Sequence, residues 1–124
     1  MLKSLNKGVS MQIDIISHRI DRSAALWTYI ETRFTQAVLR FASQVDRMII
    51  RLSDVNGSRG GVDKSCRVEL FWSLGDPVIA EATDADPYVA VDLTASKLKR
   101  AVLRASRRRW EKPRKIHEIR PAII

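Results

Sequence analysis

One segment, residues 87–112, contains no glycine and has its only proline at the first position. The acids Asp84 and Asp86 precede it, where negative charge suits the positive end of a helix, and Pro87 is tolerated in a first helical turn. A helix of about 25 residues would be nearly 40 Å long and would extend past the end of a small sheet. Its apolar residues recur every three or four positions, as one buried helix face requires, at Tyr88, Val91, Ala95, Leu98, Val102 and Ala105.

The net positive charge of the chain lies on this same part. Residues 87–124 carry eleven Lys and Arg against three acids, whereas residues 1–86 carry eleven of each. A concentrated basic stripe on an otherwise neutral domain favours a polyanionic partner, and nucleic acid is the first candidate. A solvated basic surface without a partner is the alternative. The basic positions of the helix follow its turns at Lys97, Arg100, Arg104, Arg107 and Arg108.

The remaining periodic segments predict one more helix and four strands. Apolar residues alternate over 11–17, 46–55, 64–74 and 78–83, the pattern of half-buried strands, and helical spacing covers 23–42 with Asp21 or Ser23 as its cap. The predicted order is β-α-β-β-β-α, an α+β fold. A right-handed crossover makes the first two strands parallel neighbours, and the others form an antiparallel meander. Both helices should pack on one face of this four-stranded mixed sheet.

The length of the chain, 124 residues, suits a single domain with one core. We predict a flexible N-terminal extension over 1–10, the domain over 11–112 and a flexible tail over 113–124, with a glycine-rich loop over 56–63. The extension is too polar for a signal peptide, and no long uncharged apolar run follows, which predicts a soluble cytoplasmic protein. The lone Cys66 lies in an alternating run and should be a buried hydrophobic residue.

The residues that usually carry catalysis are scattered along the sequence. His18 and His117 have no partners at the spacing of a metal site or of a nucleophile pair. The glycine-rich loop lacks both the phosphate-loop frame and a following helix. We therefore predict a protein that is not an enzyme, with no catalytic residue, no metal, no cofactor and no small-molecule substrate.

The binding residues predicted from the pattern are cations of both helices. Arg33 and Arg40 of the first helix should form one basic groove with the row from Lys97 to Arg108. The aromatic residues form no platform for stacking bases, so the groove should recognise shape and phosphate position, as in structured RNA. Trp110 is the exception, and both stacking on a base and docking on the domain remain open for it.

Three stretches of the sequence resemble the ribosome hibernation promoting factors, also called ribosome-associated inhibitor A or the sigma-54 modulation protein family. The similarity covers about Met11 to Lys112. It rests on Met11-Gln12-Ile13, on Ser23-Ala24-Ala25-Leu26 with Tyr29-Ile30 and Arg33, and above all on the stretch from Ala80 to Asp92 that continues into Lys97-Leu98-Lys99-Arg100. The family has the same β-α-β-β-β-α order.

The resemblance implies a bacterial stress or stationary-phase factor that lies on the small ribosomal subunit, contacts ribosomal RNA in the decoding channel and blocks the messenger and tRNA sites. The positions matching the family's basic residues are Arg33, Arg40, Lys97, Arg100, Arg104 and Arg108. The chain departs from the family in its longer 56–63 loop and in Lys99, where an acid is common. It also ends without the separate dimerisation domain of the long form, which predicts a monomer that does not pair ribosomes by itself.

Two other functions are compatible with the basic helix. The β-β-β-α part is similar to double-stranded-RNA-binding domains, so a general module for double-stranded RNA or tRNA, without ribosome specificity, is the first alternative. A regulator whose basic helix meets an acidic protein partner is the second.

Overall fold

The computed structural model describes residues 11–21, 23–55 and 64–116, with the side chains of the last helix described up to Arg108. The predicted extension 1–10, the loop 56–63, residues 117–124 of the tail and the side chain of Trp110 lie outside this description. The predicted order is confirmed. The elements are β1 (Gln12–His18), α1 (Ala24–Ala37), a short 3-10 turn (Leu39–Phe41), β2 (Val45–Asp54), β3 (Lys64–Trp72), β4 (Val78–Asp84) and α2 (Pro87–Ile116).

The four strands form one mixed sheet in the order β1-β2-β3-β4. Strand β1 is parallel to β2, and the other two pairings are antiparallel. The registers place Ile15 beside Ile50, Ile50 beside Val68 and Val68 beside Ala80. One face of the sheet is therefore a continuous apolar surface, as the alternating pattern predicted.

Both helices cover that face, which confirms the predicted two-layer arrangement. Ile30 and Phe34 of α1 and Leu98 of α2 are fully buried in the same cluster as Met48 of β2 and Leu70 of β3. The opposite face of the sheet carries no helix of the described residues. It is called the open face below.

The first helix is shorter than its periodicity predicted. Ser23 is the cap, since its Oγ accepts a hydrogen bond from the Leu26 amide at 3.0 Å. The helix ends at Ala37 rather than at 42 because the backbone of Val38, at φ −114° and ψ 16°, leaves the helical region. A 3-10 turn follows, and it still directs Phe41 toward the core, which explains why the apolar spacing continued past the end of α1.

The second helix is longer than predicted. It begins at Pro87, where the carboxylate of Asp86 accepts a hydrogen bond from the Tyr88 amide at 2.8 Å. It extends through Pro113 to Ile116, for 30 residues in all. The expected end at Pro113 was wrong, since the helix continues past it although proline lacks an amide hydrogen and its ring crowds the carbonyl four residues earlier. Tyr88 is another correction, since it is 37% exposed and contacts the Tyr29 ring edge-on instead of facing the sheet.

Candidate nucleic-acid interface

The basic row of α2 is an exposed and regular set of cations. No acid occurs between residues 93 and 108. From the first to the last member of the row the helix rises by about 17 Å. Every predicted member is exposed, namely Lys97, Arg100, Arg104, Arg107 and Arg108, and so is Lys99.

Buried contacts determine which way this row faces. Ala95 and Leu98 are fully buried against the sheet. The hydroxyl of Thr94, also fully buried, lies 3.2 Å from the carbonyl oxygen of Cys66 in β3 and 2.7 Å from that of Ala90. These contacts prevent rotation of α2 about its axis, so the directions of the exposed cations are fixed by the core.

The N-terminal part of the row, called its upper part below, borders the edge strand β4. The ammonium group of Lys97 donates a hydrogen bond to the backbone carbonyl of Glu81 at 3.1 Å. Arg100 and Arg104 line a depression of about 310 Å³ together with Ile79 and Glu81. This flank of α2 therefore faces the free edge of the sheet.

The C-terminal part of the row, called its lower part below, borders a second and larger depression. It has a volume of about 440 Å³, and its lining includes Trp72, Leu74 and Pro77 together with Arg104 and Arg108. The indole of Trp72 donates a hydrogen bond to the Asp76 carbonyl at 3.0 Å, which holds the ring against the β3–β4 turn. The lining therefore combines an apolar wall with two guanidinium groups.

Arg33 lies away from the row, in the contact between the helices. Its Nε donates a hydrogen bond to the Asp92 carboxylate at 2.8 Å, and the Tyr29 hydroxyl donates to the same oxygen at 2.5 Å. Burial raises the pKa of Asp92, but the hydrogen bonds from Arg33 and Tyr29 outweigh it, so the pKa lies below its ordinary value. The hydrogen bond to Asp92 raises the pKa of Arg33, and it also raises that of Tyr29.

Arg40 lies at the end of the molecule where the row finishes. It is exposed, and its guanidinium carbon is 5.8 Å from the centre of the Phe41 ring. That ring contacts Trp72 edge-on, at 5.9 Å between centres, and Trp72 lines the same depression as Arg108. Arg40 is therefore connected to the lower part of the row through two aromatic side chains.

The structure does not bring Arg33 and Lys97 together, and one basic groove formed by both helices remains a prediction. Asp92 faces α1, whereas Lys97 faces β4, because five residues at 100° each turn the helix through about 140°. The apolar stripe separates these two flanks on the side of the sheet, and the exposed face with Arg100 and Arg107 lies between them on the outer side. The sequence pattern placed the basic row beside the stripe without indicating which side of it would face α1.

The open face carries a set of ion pairs that the sequence analysis missed. Asp14 is 2% exposed and lies 2.6 Å from Arg47 Nη2. Arg51 contacts Glu69 at 3.0 Å, and Arg67 contacts Glu81 at 2.9 Å. These partners lie on neighbouring strands, so only the strand register could have revealed them. The described cations of the sheet are thus neutralised locally, and those of α2 are not.

No group of three or more His, Cys, Asp or Glu side chains that could hold a metal ion occurs among the described residues. Burial raises the pKa of the Cys66 thiol to about 12, although a hydrogen bond with Thr94 lowers it in part. A thiol of this kind is protonated at neutral pH and is a poor nucleophile. None of the described helices has a stretch long and apolar enough to cross a membrane.

Residues 13–110 match the model of the family described as sigma 54 modulation protein / S30EA ribosomal protein. The chain belongs to this family. The resemblance inferred from the stretch between Ala80 and Asp92 is thereby confirmed, and membership in the S30EA family associates the chain with the ribosome.

Two solved structures have the same fold. A ribosomal subunit interface protein from Coxiella burnetii is 20% identical, with a TM-score of 0.64, and the match covers 74% of this chain and 93% of that one. The N-terminal domain of Protein Y from Thermus thermophilus is 19% identical, with a TM-score of 0.58, and the match covers 82% of this chain and 98% of that one. A search of curated proteins gave no match.

Proposed function

We propose that the protein binds the small ribosomal subunit through phosphates of ribosomal RNA and blocks the messenger and tRNA sites of the decoding channel. The observation that carries the proposal is the basic row of α2, which is exposed, rigid and free of acids from residue 93 to residue 108. Family membership directs the proposal to the ribosome. The Coxiella burnetii relative is a ribosomal subunit interface protein, which supports the same partner.

The residues of the row have different roles in this proposal. Arg100, Arg104, Arg107 and Arg108 have no ion pair within the described part of the chain, so their guanidinium groups are free to contact phosphate oxygens in pairs. Lys97 must first leave the Glu81 carbonyl. Arg40 extends the basic surface at the lower end. Arg33 remains a predicted contact, but its ion pair with Asp92 ranks it below the cations of α2.

The proposed mechanism is occlusion without chemistry. A rigid domain whose last helix carries six cations among its described side chains would compete with messenger RNA and tRNA, which are polyanions, for the same channel. In this proposal the protein is a cytoplasmic, bacterial stress or stationary-phase factor and acts as a monomer. Inhibition of translation should then saturate near one protein per ribosome.

Co-sedimentation with purified small subunits tests the proposal. The double variant Arg100→Gln with Arg104→Gln should bind at least tenfold more weakly than the wild-type protein and unfold at nearly the same temperature. The matched control is Ile16→Glu with Val55→Glu, which changes the net charge equally at two exposed residues, 44% and 62%, on or just after the distant strands β1 and β2. Equal binding by both double variants would contradict a specific role of the row.

Two further measurements separate the proposal from its alternative. Excess long double-stranded RNA should not displace the protein from the subunit at stoichiometric concentration, whereas a general RNA-binding module would be displaced. In a cell-free translation system the wild-type protein should lower the yield in proportion to ribosome occupancy. Inhibition by far less than one protein per ribosome would rule out occlusion.

A further inference from the structure

The two depressions beside α2 form one continuous surface feature. They share Ile79, Ala101 and Arg104, and together they extend from Lys97 to Arg108 between α2 and the edge strand β4. We call this feature the α2–β4 groove. We propose that it binds an acidic peptide in extended conformation, which adds to β4 as a fifth strand. The inference does not depend on the proposed function, because it concerns the protein alone.

The first argument is that β4 is an edge strand with unpaired backbone groups. Among the described residues the sheet ends at β4, and the amide of Ser73, just after β3, donates to the Gln44 carbonyl next to β2 at 2.9 Å. The backbone amide and carbonyl of successive strand residues point alternately to the two neighbouring strands. The backbone groups of the odd-numbered residues of β3 therefore bond to β2, and those of the even-numbered residues bond to β4. In this register the backbone groups of Ile79, Glu81 and Thr83 point away from β3.

The hydrogen bond of Lys97 supports this assignment independently. Its ammonium group reaches the carbonyl of Glu81, one of the three outward residues. Lysine is a common means of covering a sheet edge. Here it satisfies one carbonyl of the edge, and none of the described contacts satisfies the outward amides of Ile79, Glu81 and Thr83.

The second argument is charge complementarity. A peptide strand on β4 would place alternate side chains on the α2 side of the sheet, beneath Lys97, Arg100 and Arg104. On that side β4 contributes Val78, Ala80 and Ala82, and the small alanines leave room. Asp84 follows in the same alternation at the end of the strand, where its carboxylate accepts a hydrogen bond from the Asp86 amide. The carboxylate of Glu81 lies on the open face with Arg67, so it does not oppose an anion in the groove. Acidic side chains at alternate positions therefore fit the cations, and Lys97 would move from the carbonyl to one of them.

The third argument distinguishes a peptide from a nucleic acid. The edge of β4 offers donors and acceptors in alternation, and a second strand matches both. The phosphates of a nucleic acid offer acceptors only, and in RNA the ribose 2′-hydroxyl is the single backbone donor of each nucleotide. The outward carbonyls of Ile79 and Thr83, to which Lys97 does not donate, would then be covered without a donor, at a cost in free energy.

Binding of a defined peptide tests the inference. The probe is a fluorescein-labelled, C-terminally amidated peptide of four Glu-Thr repeats, titrated with the full-length protein and followed by fluorescence anisotropy at low salt. The controls are two N-methylated versions of this peptide, one methylated on every glutamate and the other on every threonine. Both keep the charge, but in one of them the amides that would face β4 cannot donate a hydrogen bond. We expect that version to bind at least tenfold more weakly than the unmodified peptide, and equal affinity for all three peptides would overturn the inference.

Amide hydrogen exchange locates the peptide. Exchange at Ile79, Glu81 and Thr83 should slow at least tenfold in the complex, whereas Ala80 and Ala82, already bonded to β3, should change little. Arg100→Gln with Arg104→Gln should weaken peptide binding, and Ile16→Glu with Val55→Glu should not. Unchanged exchange at the three outward amides would refute strand addition. Equal protection by an oligouridylate of the same charge would assign the groove to nucleic acid instead.

Discussion

The guanidinium of Arg33 and the carboxylate of Asp92 join the two helices, with Nε 2.8 Å from Oδ1. The Tyr29 hydroxyl donates to the same oxygen, so one acid of α2 accepts from two side chains of α1. The side chains are 27% and 43% exposed for Arg33 and Asp92. Partial exposure limits the energy of the contact, but its geometry fixes the first turns of α2 relative to α1.

Replacing Asp92 by Asn should lower the free energy of unfolding by about 1 kcal/mol, because a charge-assisted contact that remains partly solvated contributes on that order. Urea denaturation of the two proteins at pH 7 measures the difference. Arg51→Gln is the control, since it breaks an ion pair of similar exposure on the open face whose acid, Glu69, keeps a second contact with Arg67, and it should cost less. A larger loss for Arg51→Gln would contradict the assigned role of Asp92.

The difference in the free energy of unfolding between the wild-type protein and Asp92→Asn should depend on pH. The pKa of Asp92 is lower in the folded protein than its unfolded value of about 3.9. The contribution of the Asp92 carboxylate to the free energy of unfolding is therefore fully present above about pH 4, and it is lost as the pH falls through the pKa of the folded state. The gap between the wild-type protein and Asp92→Asn should stay constant from pH 5 to pH 7 and close in more acidic solution. A gap that widens at low pH would contradict this.

Arg33→Gln should weaken binding to the small subunit less than Arg100→Gln does. The positive charge of Arg33 is already neutralised by Asp92, whereas Arg100 has no ion pair within the described residues. Parallel titrations of the two single variants by co-sedimentation make the comparison, and their thermal melts show whether either is unfolded. A greater loss for Arg33→Gln at equal stability would support the predicted basic groove formed by both helices.

The affinity for the small subunit should fall steeply with salt. With about six phosphates neutralised, log K should decrease with log salt at a slope of roughly −4 to −5. Arg100→Gln with Arg104→Gln removes two of these contacts, so its slope should be shallower by about 1.5. Titrations between 50 and 200 mM KCl give both slopes, and identical slopes would place the two residues outside the RNA contact.

The Cys66 thiol should react only when the protein unfolds. The residue is fully buried and burial raises its pKa to about 12, so alkylation at pH 8 requires opening of the sheet. Asp92→Asn should speed the labelling about fivefold, the factor that corresponds to 1 kcal/mol. Mass spectrometry after timed addition of iodoacetamide follows the reaction, with the urea-unfolded protein as the reference. Rapid labelling of both folded proteins would show that Cys66 is reached without global opening.

The elements of the fold were predictable because apolar periodicity is a local signal. The alternation around Ile50 and Val68 and the helical spacing around Leu98 each indicate an element within ten residues of sequence. The end of α1 at Ala37 was not predictable, because a 3-10 turn keeps Phe41 on the apolar side. The periodicity continued although the helix did not.

The candidate site was predictable in composition but not in arrangement. The row from Lys97 to Arg108 was evident, and all its members are exposed. The partners of Arg33 and Asp14 lie 59 and 33 residues away along the chain, so they depend on the rotation of α2 and on the strand register. The edge of β4 was equally hidden, since strand order is a property of the assembled sheet.

The ion pairs of the open face have a consequence for how the molecule moves before any contact is made. They neutralise the described cations of the sheet, while the described cations of α2 have no ion pair, so the centre of positive charge of the described residues is displaced from their centre of mass. The domain therefore has a permanent dipole moment, and the field of a polyanion exerts a torque on it at distances up to the Debye length. The domain would approach a polyanion with α2 turned toward it, and its association rate would exceed that of a domain that approaches in random orientations.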